Sequence, residues 1–183
     1  MAFYRGVLLE GQEFYSVTAE EYIDLSGLAR AVSDDEGVAV QVLSFALVDM
    51  DRDDIPELIL RLRVNYDDYY GFEILHLLEG QCLGYTVWYR ALTDLKTDGS
   101  YNSSGGSDDG FGVMSFYEDA FRFTPLCNSA LRRDPVGQLS RGYWLEGMEV
   151  TEEEYLSAKA AQSQKPSAQW HPLTQENIEN ILR

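Results

Sequence analysis

The sequence has little positive charge. Only three of its 183 residues are lysine, Lys96, Lys159 and Lys165, and 31 acids against 14 lysines and arginines leave a formal net charge of −17. Affinity for phosphate polymers comes from clustered Lys and Arg, so no nucleic-acid partner is expected, and an anionic membrane surface is disfavoured for the same reason. Cations and basic surfaces are what such a charge attracts. Cysteine is also scarce. Cys82 and Cys127 form no disulfide framework in a chain this long and no CxxC pattern, so buried free thiols are expected. The two histidines, His76 and His171, are too few and too far apart in sequence for a His-rich zinc site, and both read as structural. No apolar run reaches the roughly 18–20 residues that span a bilayer, and the first residues turn acidic too soon for a signal peptide. The chain reads as a cytosolic protein or as the mature part of an exported one. G-x-S-x-G, HExxH and Walker patterns are absent, so no reaction is written in a motif.

What is present is ordinary globular material, 45% hydrophobic and 25% charged, enough for a single domain over residues 1–183. The expected class is α+β: a mainly antiparallel meander with helices at both ends. Residues 38–48 are apolar on both faces, as in a central strand. Leu58, Leu60, Leu62 and Val64 alternate with Ile59, Arg61 and Arg63, as in a half-buried strand. Residues 72–78 and 83–89 follow, with a hairpin turn at 79–81. Asn65–Asp68 reads as a turn, and Asp98-Gly99 as a type I′ hairpin signal. Ser103–Gly110 reads as a flexible loop and Asn128–Gln138 as irregular chain. Strands are expected at 111–117, 120–126 and 142–150. Thr151-Glu152-Glu153-Glu154 is a capping box, and Thr174 can cap a last helix with Ile178, Ile181 and Leu182 on one face. Before Val32 the pattern admits both short helices and a short strand at Tyr22–Leu25.

One segment carries sharp chemistry. With Asp49 as loop position one, carboxylates fall at positions one, three, five and nine, namely Asp49, Asp51, Asp53 and Glu57, and the Ile55 carbonyl sits at seven. Calcium takes six to eight oxygens from such alternating side chains and carbonyls. Four carboxylates so close repel one another unless a cation sits among them. Position twelve is Leu60 rather than the bidentate Glu of an EF-hand. The spacing resembles the strand–loop–strand calcium loop of FG-GAP and integrin-type repeats. The competing reading is an acidic turn whose Asp side chains bond local backbone N–H groups.

Phe45–Leu60, followed by Tyr69–Glu73 and Gly84–Arg90, resembles a group of uncharacterised domains from gut Gram-positive bacteria, often lipoproteins or exported proteins. The likeness extends through Thr151–Leu156 and the last helix. It implies an envelope or extracellular setting and the calcium loop, and it implies no reaction. Members usually carry Gly near loop positions four and six, where this chain has Arg52 and Asp54.

The remaining candidates are aromatic. Tyr66, Tyr69, Tyr70, Trp88 and Tyr89 could form a platform for a sugar ring or peptide, or could simply pack within the sheet. The leading expectation is a noncatalytic, calcium-stabilised envelope domain that binds a glycan, peptide or protein. A carboxylate-based hydrolase and an intracellular acidic partner of a basic protein stand as alternatives.

Overall fold

A computed structural model describes residues 1–33, 35, 37–133 and 137–183. Pro135, placed in irregular chain by the sequence, lies outside them. The chain opens with helix α1 (Ala2–Glu10), strands β1 (Phe14–Ser16) and β2 (Glu21–Ile23), and helix α2 (Leu28–Val32). The segment left open by the sequence is therefore strand at Tyr22 and turn at Thr18–Glu20. Asp24 caps the short helical turn before α2: its carboxylate accepts from Gly27 N–H, and the Ser26 hydroxyl donates to it.

Four strands then form the expected antiparallel meander: β3 (Val40–Val48), β4 (Glu57–Val64), β5 (Asp67–Leu78) and β6 (Gln81–Trp88). Next come β7 (Tyr101–Ser104), β8 (Asp109–Tyr117), β9 (Ala120–Arg133), β10 (Leu139–Leu145) and β11 (Met148–Glu149). Helix α3 (Glu152–Ser163), the two-residue strand β12 (His171–Pro172) and helix α4 (Gln175–Ile181) end the chain. The larger sheet has the order β12-β3-β4-β5-β6-β1-β2, in which β1 alone runs parallel to its neighbour β6. The smaller sheet, β11-β10-β9-β8-β7, is antiparallel throughout.

The larger sheet is apolar on both faces, which explains its near-continuous hydrophobic strands. One face carries Phe45, Leu58, Leu60, Leu62 and Leu75 against Tyr4 and Val7 of α1 and Ile178 of α4. The other carries Ile59, Phe72, Ile74, Tyr85 and Val87 against Tyr101, Met114 and Phe116 of the smaller sheet. β4 is thus buried more deeply than a half-wet strand: Ile59 has no solvent contact, and only Arg61, Arg63 and Val64 are partly exposed. β3 is next to the sheet edge rather than central, since only the two residues of β12 lie beyond it.

Both capping predictions hold. Thr151 and Glu154 form a reciprocal capping box on α3, and the Thr174 side chain accepts from Asn177 N–H at the start of α4. Other expectations are corrected. Asn128–Arg133 is strand, because its apolar and polar residues extend the β9 ladder opposite β10. Ser103, Ser104, Asp109 and Gly110 are paired in the β7–β8 hairpin, so the glycine-rich turn shrinks to residues 105–108. The strand expected at 142–150 is a hairpin of β10 and β11 folded at Glu146-Gly147. Asp67 and Asp68 belong to β5, leaving Asn65-Tyr66 as the turn. Asp98-Gly99 is no type I′ turn, which needs positive φ at both central residues. Only Gly99 has it, at +80°, and Lys96 N–H donates to the Ser100 carbonyl (2.8 Å), so the turn spans three residues. Cys82 and Cys127 are buried free thiols.

Candidate metal centre

The acidic loop joins the ends of β3 and β4, where Val48 pairs with Glu57. Met50, wholly buried in the intersheet core, anchors it. Its N–H donates to Glu57 Oε2 (2.6 Å), which draws the end of the loop back onto its start. Asp49 organises the turn: its carboxylate accepts from the N–H groups of Arg52 (2.7 Å), Asp53 and Asp54 (both 3.1 Å). Asp53 in turn accepts from Ile55 N–H (2.7 Å). The Ile55 side chain is exposed.

Arg52 and Asp54 both adopt the left-handed backbone conformation, with φ of +67° and +70°. These are loop positions four and six, where a left-handed turn favours glycine. The chain keeps the turn geometry without the residue that makes it easy, which costs each position roughly 1 kcal/mol.

Carboxylate oxygens of Asp49, Asp51 and Asp53 lie within 4.8 Å of one another. A second set shares Asp51: one oxygen each of Asp51 and Glu57 and a ring nitrogen of His76 also lie within 4.8 Å. Asp51 is common to both sets, and Asp49, Asp53 and Glu57 divide between them. Asp51 is the hinge between an outer, all-oxygen set and an inner, buried set. Either cluster could hold a metal ion.

The electrostatics concentrate at the hinge. Burial, then the Asp53 charge, pushes the Asp51 carboxyl above its ordinary pKa, and its Oδ1 is sealed from solvent with no hydrogen-bond partner among the described residues. Burial likewise pushes Glu57 up, opposed by its bonds from His76 and Met50. His76 Nδ1 lies 3.0 Å from Glu57 Oε1 and 4.0 Å from Asp51 Oδ2, and its ring stacks on Phe116.

His76 is the residue that sequence reasoning passed over. It sits 19 positions from Glu57, and pairing brings them together: one step past the Leu58–Leu75 pair, Glu57 and His76 stand opposite each other. The only sequence signal is hairpin register, and a bulge between Leu62 and Val64 shifts that register.

The aromatic candidates divide between the two faces of the larger sheet. Tyr69 packs edge-on against Tyr89, which stacks on Phe72. Tyr70 and Trp88 meet on the opposite face, where the Tyr70 hydroxyl donates to the Val32 carbonyl. Tyr66 projects fully into solvent at the hairpin tip. Alternation along β5 forces the split, because neighbouring residues of a strand point to opposite faces. The five do not form one platform.

No helix among the described residues is long and apolar enough to cross a membrane. Compared with protein-family models, curated proteins and solved structures, the chain matches none of them.

Proposed function

We propose that this chain is a noncatalytic binding domain of the cell envelope, stabilised by calcium held in the Asp49–Glu57 loop. The observation that carries the calcium reading is Asp51: a sealed, unpartnered carboxylate oxygen flanked by Asp49 and Asp53. A bare carboxylate in that position is costly, and a hard cation offsets both its lost hydration and the repulsion of its neighbours. Asp49 and Asp53 already use oxygens to hold the loop backbone, so the loop needs little rearrangement to take an ion. The envelope setting and the glycan, peptide or protein ligand rest on the resemblance of Phe45–Leu60 and the following aromatic segments to exported domains.

The inner set supports a second reading for the metal. His76 adds a nitrogen to Asp51 and Glu57, a donor mixture that suits zinc or manganese better than calcium. The two readings differ in the tautomer of His76. With calcium in the outer set, His76 keeps Nδ1–H and holds Glu57. With a transition metal in the inner set, Nδ1 must lose that proton to become a ligand.

Thermal unfolding in calcium, magnesium, zinc and chelator tests this. A site with a dissociation constant of roughly 10⁻⁴ to 10⁻³ M, at about 10 mM calcium, gains about 1.4–2.7 kcal/mol by mass action. In a domain of this size that raises Tm by roughly 3–10 °C. Asp51→Asn removes most of the rise without lowering Tm in chelator. A rise with zinc that exceeds that with calcium, and that His76→Ala abolishes, favours the inner set. Equal melting temperatures in all four conditions reject the metal.

A further inference from the structure

On the same face of β4 as Glu57 and Ile59 lies Arg61. It makes no ion pair and donates no hydrogen bond among the described residues, and its Nε is sealed from solvent without a partner. Arg63, two residues along the strand, is by contrast paired with Asp68. A buried guanidinium donor left unsatisfied is costly, more so than a neutral one. Arg61 is held in place by an aromatic ring instead of an anion: its Cζ lies 5.5 Å from the centroid of Tyr69. Such a cation–π contact attracts the guanidinium without engaging an anion.

Arg61 lines a cavity of about 220 Å³ beside Phe72, Tyr89, Leu92, Leu95 and Trp170. Strand register builds this wall. Arg61 pairs directly with Phe72 on β5, Phe72 lies 5.7 Å from Trp170, and Tyr89 stacks on Phe72 at 6.2 Å. Leu92 and Leu95 are buried beneath. The lining thus sets aromatic and aliphatic side chains beside the polar groups of Arg61, Thr93, Asp94 and Ser167, and Arg61 is the one cation among them. Asp94 at the rim does not supply the missing partner, because its carboxylate is engaged by Lys96 Nζ (2.8 Å) and the Ser167 hydroxyl (3.4 Å). An apolar pocket with a few convergent polar groups is the ordinary form of a small-molecule site.

We propose that this cavity binds a small monocarboxylate with an apolar, single-ring body. The carboxylate lies on the Arg61 guanidinium and the ring between Phe72, Tyr89 and Trp170. Size sets the body: an apolar cavity of about 150 Å³ accommodates benzene, and the extra room here takes a carboxylate and its linker. Charge sets the head. A guanidinium fork matches a carboxylate in two parallel hydrogen bonds. A dianion such as phosphate would find one cation, the nearby Asp94 and a net charge of −17 around it. This inference rests on reading the domain as a binding module. It is independent of which metal the acidic loop takes.

Titration of the ¹⁵N-labelled chain with phenylacetate tests it, in calcium and again in chelator. The expected result is saturable shifts centred on the Trp170 indole N–H and the Tyr89 amide, with a dissociation constant of roughly millimolar or tighter. Phenylacetamide, the same shape without the charge, binds about tenfold more weakly or worse on the intact protein, since a charge-assisted bond is lost. Arg61→Met weakens phenylacetate by a similar factor, and Arg61→Lys keeps part of the affinity. No shift at Trp170 at about 10 mM phenylacetate, equal binding of acid and amide, or tighter binding of glucuronate than of phenylacetate overturns the proposal. The acid–amide comparison needs no variant, so it stands even if Arg61→Met does not fold. Absence of phenylacetate binding with calcium stabilisation intact removes this site and leaves the cation loop standing.

Discussion

His76 Nδ1 faces Glu57 Oε1 at 3.0 Å, and both side chains are shut away from water, at 2% and 0% exposure. Removing the imidazole leaves a buried carboxylate with only the Met50 N–H and takes away the ring that stacks on Phe116. Leaving a buried carboxyl group short of a hydrogen-bond partner costs about 1–3 kcal/mol. His76→Ala is therefore expected to lose about that much in urea unfolding. His76→Asn retains a donor and loses less. Equal losses for the two would mean that ring packing, not the bond to Glu57, sets the cost.

The loop holds Arg52 and Asp54 in a backbone conformation that glycine adopts freely. Arg52→Gly relieves the strain but gives the unfolded chain more freedom, and the net gain is about 0.5–1 kcal/mol. Tm should rise by roughly 1–4 °C. Asp54→Gly gains less from strain relief, because Asp tolerates this region better than Arg, but it also removes a negative charge from the cluster. Thermal melts in chelator check both. A fall in Tm for Arg52→Gly counts against a strained turn.

Gly99 lies against the acidic loop. A Cβ there would sit 2.5 Å from the Asp49 carbonyl oxygen and 2.9 Å from Met50 Cα, at a φ of +80°. Gly80 has a similar φ, +86°, with nothing within 4 Å of a Cβ. Gly80→Ala should cost the backbone strain alone, about 1–2 kcal/mol. Gly99→Ala should cost more and weaken the calcium response, since only it displaces the backbone that presents Asp49. Similar losses for both, with the calcium response intact, would separate the turn from the loop.

Glu73 on β5 is fully buried; burial pushes its carboxyl up to about 8, against a hydrogen bond from Thr86 that lowers it. Its other oxygen has no partner among the described residues. Between its ordinary value near 4.5 and about 8, the folded chain keeps a proton that the unfolded chain releases. Stability from this group is thus intact below that window and lost as pH rises through it, by an amount on the order of a few kcal/mol. Wild type should lose stability between pH 5 and 8 more steeply than Glu73→Gln, read by urea unfolding across about six pH values. Parallel pH profiles would mean that Glu73 ionises freely within the fold.

Local pattern determined much of this protein. The β3–β6 meander, the Glu79-Gly80 turn, the Thr151 and Thr174 caps and the terminal helices follow from side-chain alternation, turn residues and capping chemistry, which act over a few neighbours. So does the outer acidic set, since Asp49, Asp51 and Asp53 meet by loop curvature alone. Other features depended on pairing between distant segments. Asn128–Arg133 lacks a strong strand pattern and becomes strand because β10 pairs along all of it and β8 with Asn128 and Ser129. Strand alternation was visible in Tyr69-Tyr70, yet which residues share each face, and that Trp88 joins Tyr70, required the register of β5 on β6. His76 enters the metal centre, and Arg61 is left without an anion in an aromatic cavity, because the ladder sets Glu57 beside one and Phe72 beside the other. Side chains this far apart in sequence meet only through strand pairing and packing, and a single bulge shifts that pairing by one residue.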